Sequence, residues 1–129
     1  MGTNQSLIAQ AYVAFNLRDT SRALALMTEN VSWPKASEGG RAEGKQEIRF
    51  YWSRQWEAFD PKVYPLEFVE QPNGIIDVKV HQVVQSIGGE LLFDGEVWHS
   101  FTIAHGLIER MDLKDNEATV APSSAFAKR

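Results

Sequence analysis

Hydrophobic positions recur at helical spacing in the first part of the chain and alternate at strand spacing in the rest. Ile8, Ala11, Tyr12 and Phe15 share one helical face, which predicts a helix over residues 5–17. Asp19 is placed to cap a second helix over residues 20–28, with Leu24 and Met27 inward. Residues 31–33 predict a short strand ended by Pro34, and residues 37–41 a loop. Gly44 opens a third helix that reaches about Phe59 and carries Ile48, Tyr51, Trp52, Gln55, Trp56 and Phe59 on one face. Asp60-Pro61 ends it, because the residue before a proline avoids helical backbone.

Four strands follow, over residues 63–71, 75–87, 91–104 and 107–114. Their turns set the register. Pro72-Asn73-Gly74 suits a three-residue loop with a left-handed glycine, whereas Gly88-Gly89 and His105-Gly106 suit two-residue turns. These closures place Phe68 beside Val78 and Val78 beside His99. They also place Leu66 beside Val80, Val80 beside Val97, and Tyr64 beside Gln82. In the last hairpin Ile103 meets Ile108, Phe101 meets Arg110, and His99 meets Asp112. An otherwise apolar face therefore gathers His99, Arg110 and Asp112. The opposite face carries Asp77, Lys79, His81 and Val83, then Trp98, Ser100 and Thr102, then Glu109, Met111 and Leu113. Trp98, Met111 and Leu113 form a patch there that predicts a homodimer through the outer sheet face. The stretch 116–129 has no period and is expected to be a flexible tail.

Helices first and a strand meander afterwards indicate one α+β domain spanning residues 1–129. With 43% hydrophobic and 23% charged residues, the chain has the means to fold around a core. A net charge of −4 offers nothing to a phosphate backbone and argues against nucleic acid. No window approaches the length of an apolar membrane span, and no secretion leader is visible, so a cytoplasmic protein is expected. The chain has no cysteine, and His81, His99 and His105 form no metal-binding motif. A glycine-rich phosphate loop and a nucleophile elbow are likewise missing, so no cofactor and no metal is expected.

The order of elements resembles the nuclear transport factor 2-like (NTF2-like) superfamily, which includes ketosteroid isomerases, SnoaL-like polyketide cyclases, limonene epoxide hydrolase and scytalone dehydratase. The residues carrying the likeness are Tyr12-Val13-Ala14-Phe15-Asn16-x-x-Asp19, Ala23-Leu24-x-x-Met27 and Asn30-Val31-x-Trp33. Gly44-x-x-x-Ile48 and His105-Gly106-Leu107-Ile108-Glu109-Arg110-Met111 extend it to the last hairpin. The resemblance implies a cone-shaped fold, with a strongly curved, mostly antiparallel sheet wrapped around three N-terminal helices and a deep apolar pocket. It implies no single activity. Matching the ketosteroid isomerase pattern puts that family's tyrosine at Ala11, next to Tyr12, its base near Lys35 and its second acid at His99. That catalytic set is therefore absent. Asp112 or His99 is the match for the acid–base residue of SnoaL-like cyclases.

The residues suggest chemistry of their own. His99 titrates near neutrality, and an aspartate behind it would fix its tautomer. The plainer alternative is a satisfied core histidine bonded to Asp112. Asp112 is an orienting group or a base, or else a partner of Arg110 or Lys114. Arg110 binds developing negative charge, or pairs with an acidic neighbour. Tyr12, Trp33, Tyr51, Trp52 and Trp56 are expected to shape a pocket wall from the helical side, with Phe68, Val78, Val80, Gln82, Val97 and Phe101 from the sheet. Expectation thus centres on a small apolar ligand with a carbonyl or epoxide. It is either turned over by cofactor-independent acid–base catalysis of the isomerase, cyclase, dehydratase or hydrolase type, or held without turnover in a binding or dimeric interaction domain.

Overall fold

The computed structural model describes residues 3–114. The first helix, α1, spans Thr3–Asn16 and buries Ile8, Ala11, Tyr12 and Ala14. The second, α2, is only Thr20–Leu24, capped by the Asp19 side chain, which accepts from the Arg22 N–H at 3.2 Å. The expected continuation of this helix to Thr28 is corrected. Met27 is buried, as expected of it, but it opens strand β1, Met27–Pro34, which is longer than the expected short strand. The cause lies far away in sequence. β1 runs parallel to the last strand, with Met27 beside Ile108, and the Leu26 carbonyl accepts from the Ile108 N–H at 2.9 Å. No local pattern carries that pairing.

A short strand β2, Arg41–Glu43, pairs antiparallel with β1 and was not foreseen. The third helix, α3, spans Lys45–Ala58. Its start has no serine or threonine cap; instead the Glu47 side chain reaches back to the Glu43 N–H at 2.8 Å. β3 (Phe59–Glu70), β4 (Ile75–Ser86), β5 (Leu91–Ala104) and β6 (Leu107–Leu113) complete a sheet of order β2-β1-β6-β5-β4-β3. β3 lies at the edge, where Pro61 and Pro65 cost the ladder least. Asn16 ties α1 to this strand. Its side chain donates to the Val63 carbonyl at 2.7 Å and accepts from the Val63 N–H at 2.9 Å, as a neighbouring strand would.

The result is an α+β domain with a curved, open, mixed sheet whose inner face is covered by helices. Ile8, Tyr12, Ile48, Tyr51 and Trp52 from the helices meet Val78, Val80, Val97, Phe101 and Ile108 from the sheet in one core. No helix among the described residues is long and apolar enough to cross a membrane.

Three single extra residues decide which side chains face that core. His105 (φ 55°) and Gly106 (φ 76°) make the expected tight turn, and Ala104–Leu107 and Ile103–Ile108 pair as expected. Then Glu109 bulges out of β6. Arg110 pairs with Thr102, Met111 with Phe101, Asp112 with Ser100, and Leu113 with His99. The expected Phe101–Arg110 and His99–Asp112 pairs are therefore corrected, because a one-residue slip exchanges the two faces of a strand. Arg110 and Asp112 turn outward; Met111 and Leu113 turn inward. The expected outer patch of Trp98, Met111 and Leu113 does not form.

A second bulge, at Leu92, has the opposite consequence. Ser86 bonds Glu90, so the loop is one residue longer than a two-residue Gly88-Gly89 turn. Leu92 absorbs the difference, and Val84–Phe93, Val80–Val97 and Val78–His99 pair as the shorter turn would have paired them. A third bulge, at Leu66, keeps Phe68 beside Val78 but puts Pro65 beside Val80 and Tyr64 beside His81 on the outer face. The expected Leu66–Val80 and Tyr64–Gln82 neighbours are thereby corrected, and Val63 takes the place next to Gln82. The tail expected to be flexible lies outside the described residues.

Candidate functional site

The helices and the concave face of the sheet enclose a cavity of about 90 Å³ open to the centres of water-sized molecules. One water needs roughly 10–15 Å³ by this measure, so the aromatic side chains leave room for a small molecule. Tyr12 and Phe15 of α1 line it, as do Tyr51, Trp52 and Gln55 of α3, and Trp33 of β1. The sheet contributes Val63, Gln82, Phe93, His99, Phe101 and Met111, with half-exposed Leu113 at the rim. No lining side chain is an aspartate, glutamate, lysine or arginine.

The aromatic rings hold one another edge to face. Trp33 meets Trp52 at 5.6 Å between centroids, Phe15 meets Trp52 at 5.2 Å, and Tyr12 meets Phe101 at 5.7 Å. Edge-to-face pairs of this kind add about 0.5–1.5 kcal/mol each beyond the area they bury, which favours a wall of fixed shape.

Its principal polar feature joins α1 to β5. The Tyr12 hydroxyl lies 2.8 Å from His99 Nδ1, and both residues are buried at 6% exposure. His99 Nε2 has no hydrogen-bond partner among the described residues. Burial without a compensating charge lowers the His99 pKa to about 4 and raises that of Tyr12 well above its ordinary value. Both groups are neutral at pH 7. A neutral imidazole has one N–H and one bare nitrogen, so the hydrogen bond has two forms. In one, the phenol donates to Nδ1 and an Nε2–H faces the cavity. In the other, Nδ1–H donates to the phenol oxygen, and the cavity receives a phenolic O–H and an Nε2 lone pair.

A second polar cluster lies on α3. The Tyr51 hydroxyl accepts from the Ser37 N–H at 3.1 Å and from Gln55 Nε2 at 3.1 Å, and sits 3.0 Å from Ser37 Oγ. Burial pushes the Tyr51 pKa up, so this hydroxyl too is neutral.

The sequence-derived site is thus divided. His99, Tyr12, Trp33, Tyr51, Trp52, Gln82 and Phe101 are brought together at the cavity. Val78, Val80 and Val97 point the same way but are packed beneath it, and Phe68 packs at the edge of the core. Trp56 lies behind Trp52 and Phe15, under the Arg18 guanidinium at 5.0 Å; its Nε1 is buried without a partner among the described residues.

Arg110 and Asp112 are away from the cavity. Asp112 accepts from Arg110 Nε at 2.9 Å and from Arg41 at 3.1 Å on the outer face. This pair is the ion-pair alternative already visible in the sequence. Gln55, Phe15, Phe93 and Met111 were missing from the expected lining. Gln55 stood on the correct helical face, and its amide among aromatic neighbours was the available signal. Met111 could not be placed without knowing of the Glu109 bulge.

No family model matches the chain, and no curated protein matches it in sequence. Its likenesses are to solved structures. An NTF2-like protein of unknown function from Burkholderia pseudomallei is 21% identical with a TM-score of 0.78, over 92% of this chain and 94% of that one. TerC, co-crystallised with polyporic acid, is 24% identical with a TM-score of 0.78, over 91% and 94%. A Mycobacterium tuberculosis protein in complex with estradiol-17beta-hemisuccinate is 17% identical with a TM-score of 0.73, over 92% and 98%. Near-complete mutual coverage at such low identity is a statement about architecture, and on it the chain has the NTF2-like fold.

Proposed function

We propose that the protein holds a small, uncharged, largely apolar carbonyl compound in this cavity and catalyses its enolisation through Tyr12 and His99. The observation that carries this reading is the 2.8 Å contact between the phenol and Nδ1 in a cavity lined by no ionised side chain. With its proton on Nδ1, His99 presents a basic Nε2 while the Tyr12 O–H donates to the ligand carbonyl. A proton leaves the carbon beside the carbonyl for Nε2, Nδ1 passes its proton to the phenol oxygen, and the phenolic proton goes to the carbonyl oxygen. One C–H bond breaks and one O–H bond forms. The carbonyl becomes an enol, and the pair ends as the other neutral tautomer. Return of a proton to a different carbon makes the net reaction an isomerisation.

Asp112 and Arg110 have no part in this scheme, being outside the cavity. That TerC and the Mycobacterium tuberculosis protein were crystallised with organic ligands supports the small-molecule part of the reading. The absence of any ionised lining group also favours a second reading, in which the same pocket binds without turnover.

Deuterium uptake by 2-tetralone in heavy water, followed by NMR, separates the two. Enolisation requires exchange catalysed by the wild type and reduced roughly 10²-fold in both Tyr12→Phe and His99→Gln. Binding with no catalysed exchange leaves the second reading alone. The homodimer is part of the same proposal. It joins through the outer sheet face around Trp98, which pairs with Lys79 beside the Lys79–Glu96 ion pair. A monomer in sedimentation equilibrium at high concentration removes it.

A further inference from the structure

The loop joining β1 to β2, residues 35–40, forms part of the cavity wall without belonging to the sheet. Ala36 lines the cavity, whereas Glu38, Gly39 and Gly40 are exposed to solvent. One short turn of chain thus stands between the cavity and water.

The loop holds its own shape. The Lys35 N–H donates to the Gly40 carbonyl at 2.9 Å, and the Lys35 carbonyl accepts from the N–H groups of Glu38 at 3.0 Å and Gly39 at 2.6 Å. Gly39 and Gly40, with φ of 88° and 74°, turn the chain back into β2. Among the described residues, no backbone–backbone hydrogen bond joins residues 36–39 to another element. Their position is instead set by two side chains of α3. The Tyr51 hydroxyl accepts from the Ser37 N–H at 3.1 Å and lies 3.0 Å from Ser37 Oγ. Arg54 grips the Glu38 carboxylate with Nε at 2.8 Å and Nη2 at 2.9 Å, and this fork holds the Glu38 pKa below its ordinary value. The Arg54 side chain is half exposed, so the pair favours the fastened loop by no more than about fivefold. Such fasteners release without disturbing the core behind them.

We propose that the 35–40 loop is a lid over the cavity, fastened to α3 through Tyr51–Ser37 and Arg54–Glu38, and that ligand passes when it swings off the helix. This inference rests on the small-molecule part of the reading above and not on enolisation. Tyr51 links lid and site, since its ring lines the cavity and its hydroxyl holds Ser37. Arg54 and Glu38 do not line the cavity, so they govern the rate of passage and not the affinity. An open lid admits and releases ligand alike, and both rate constants change by one factor.

The double variant Glu38→Cys/Arg54→Cys tests this, because the chain has no other cysteine. Stopped-flow fluorescence of Trp33 and Trp52, which line the cavity, follows the binding of 2-tetralone. With both thiols capped by N-ethylmaleimide the ion pair is gone, and association and dissociation should each quicken about 2–5-fold at unchanged Kd. With the thiols bridged by a bis-maleimide, both should slow at least about tenfold relative to the capped form. Circular dichroism establishes that the double variant is folded; Arg54→Ala, which introduces no thiol, should reproduce the faster rates. A bridged form as fast as the capped one, or a capped form no faster than the wild type, overturns the lid and puts passage at the Leu113 rim. The small-molecule reading survives that result. Failure of 2-tetralone to bind removes both, whereas binding without catalysed deuterium exchange removes enolisation and leaves the lid to be decided by its rates.

Discussion

Tyr12 and His99, 87 residues apart in sequence, share a 2.8 Å hydrogen bond beneath a roof of aromatic rings. Neither carries charge at neutral pH, and none of the cavity's lining residues supplies one. The site therefore resembles a neutral relay more than an ion-paired catalytic couple, and its behaviour toward substitution and pH follows from that.

Removing the phenolic oxygen leaves Nδ1 buried without its partner. Tyr12→Phe should cost about 1–3 kcal/mol of stability, the usual penalty for an orphaned buried polar group. Urea unfolding at pH 7 measures it. The double variant Tyr12→Phe/His99→Leu should recover part of the loss; a double variant no more stable than Tyr12→Phe would mean that the bond contributes little.

Acid should weaken the fold through His99. Its pKa is about 4 when folded and near the ordinary 6.5 when unfolded, so the unfolded chain binds more protons between those values. Stability from this group is complete above about pH 6.5, falls as the pH drops through that interval, and is gone below about pH 4. The interval corresponds to roughly 3 kcal/mol as an upper figure. Unfolding free energies from pH 7 to pH 4 should fall less steeply in a folded His99→Leu variant than in the wild type. Parallel slopes would contradict the assignment.

Asp112 should matter little to the cavity. Its partners are Arg41 and Arg110 on the outer face, partly open to solvent. Asp112→Asn should cost no more than about 1 kcal/mol and leave deuterium exchange into 2-tetralone at the wild-type rate. A large loss of exchange would restore the aspartate to the site.

Gly95 keeps one wall of the cavity in place. It sits opposite Gln82, and a Cβ there would stand 3.0 Å from the Phe93 ring. Gly95→Ala should push that ring aside and change 2-tetralone affinity several-fold, with a stability change near 1 kcal/mol, of the kind that overpacking produces. Identical affinity in the two proteins would show that Phe93 moves freely.

Much of the fold is legible in the sequence. The α1 face of Ile8, Ala11 and Tyr12, the Asp19 cap, and the inward set Val78, Val80, Val97, His99 and Phe101 follow from period and turn chemistry. These are local properties, written in residues a few positions apart. A bulge is different. One extra residue at Glu109 shows in β6 only as two polar residues in a row, Glu109-Arg110, between Ile108 and Met111, yet it sends Arg110 and Asp112 outward and Met111 and Leu113 inward. The parallel pairing that draws Met27 out of its expected helix is silent, because its partner Ile108 is most of a chain length away.

By itself, then, the sequence determined most of the elements, most of the strand faces and a histidine turned toward a hollow. Tertiary structure alone decided which group stands behind that histidine. Contacts between α1 and β5 depend on the curvature of the whole sheet, and it is that curvature, set by bulges and by a pairing across the chain, that brought a tyrosine to Nδ1 and kept the aspartate out.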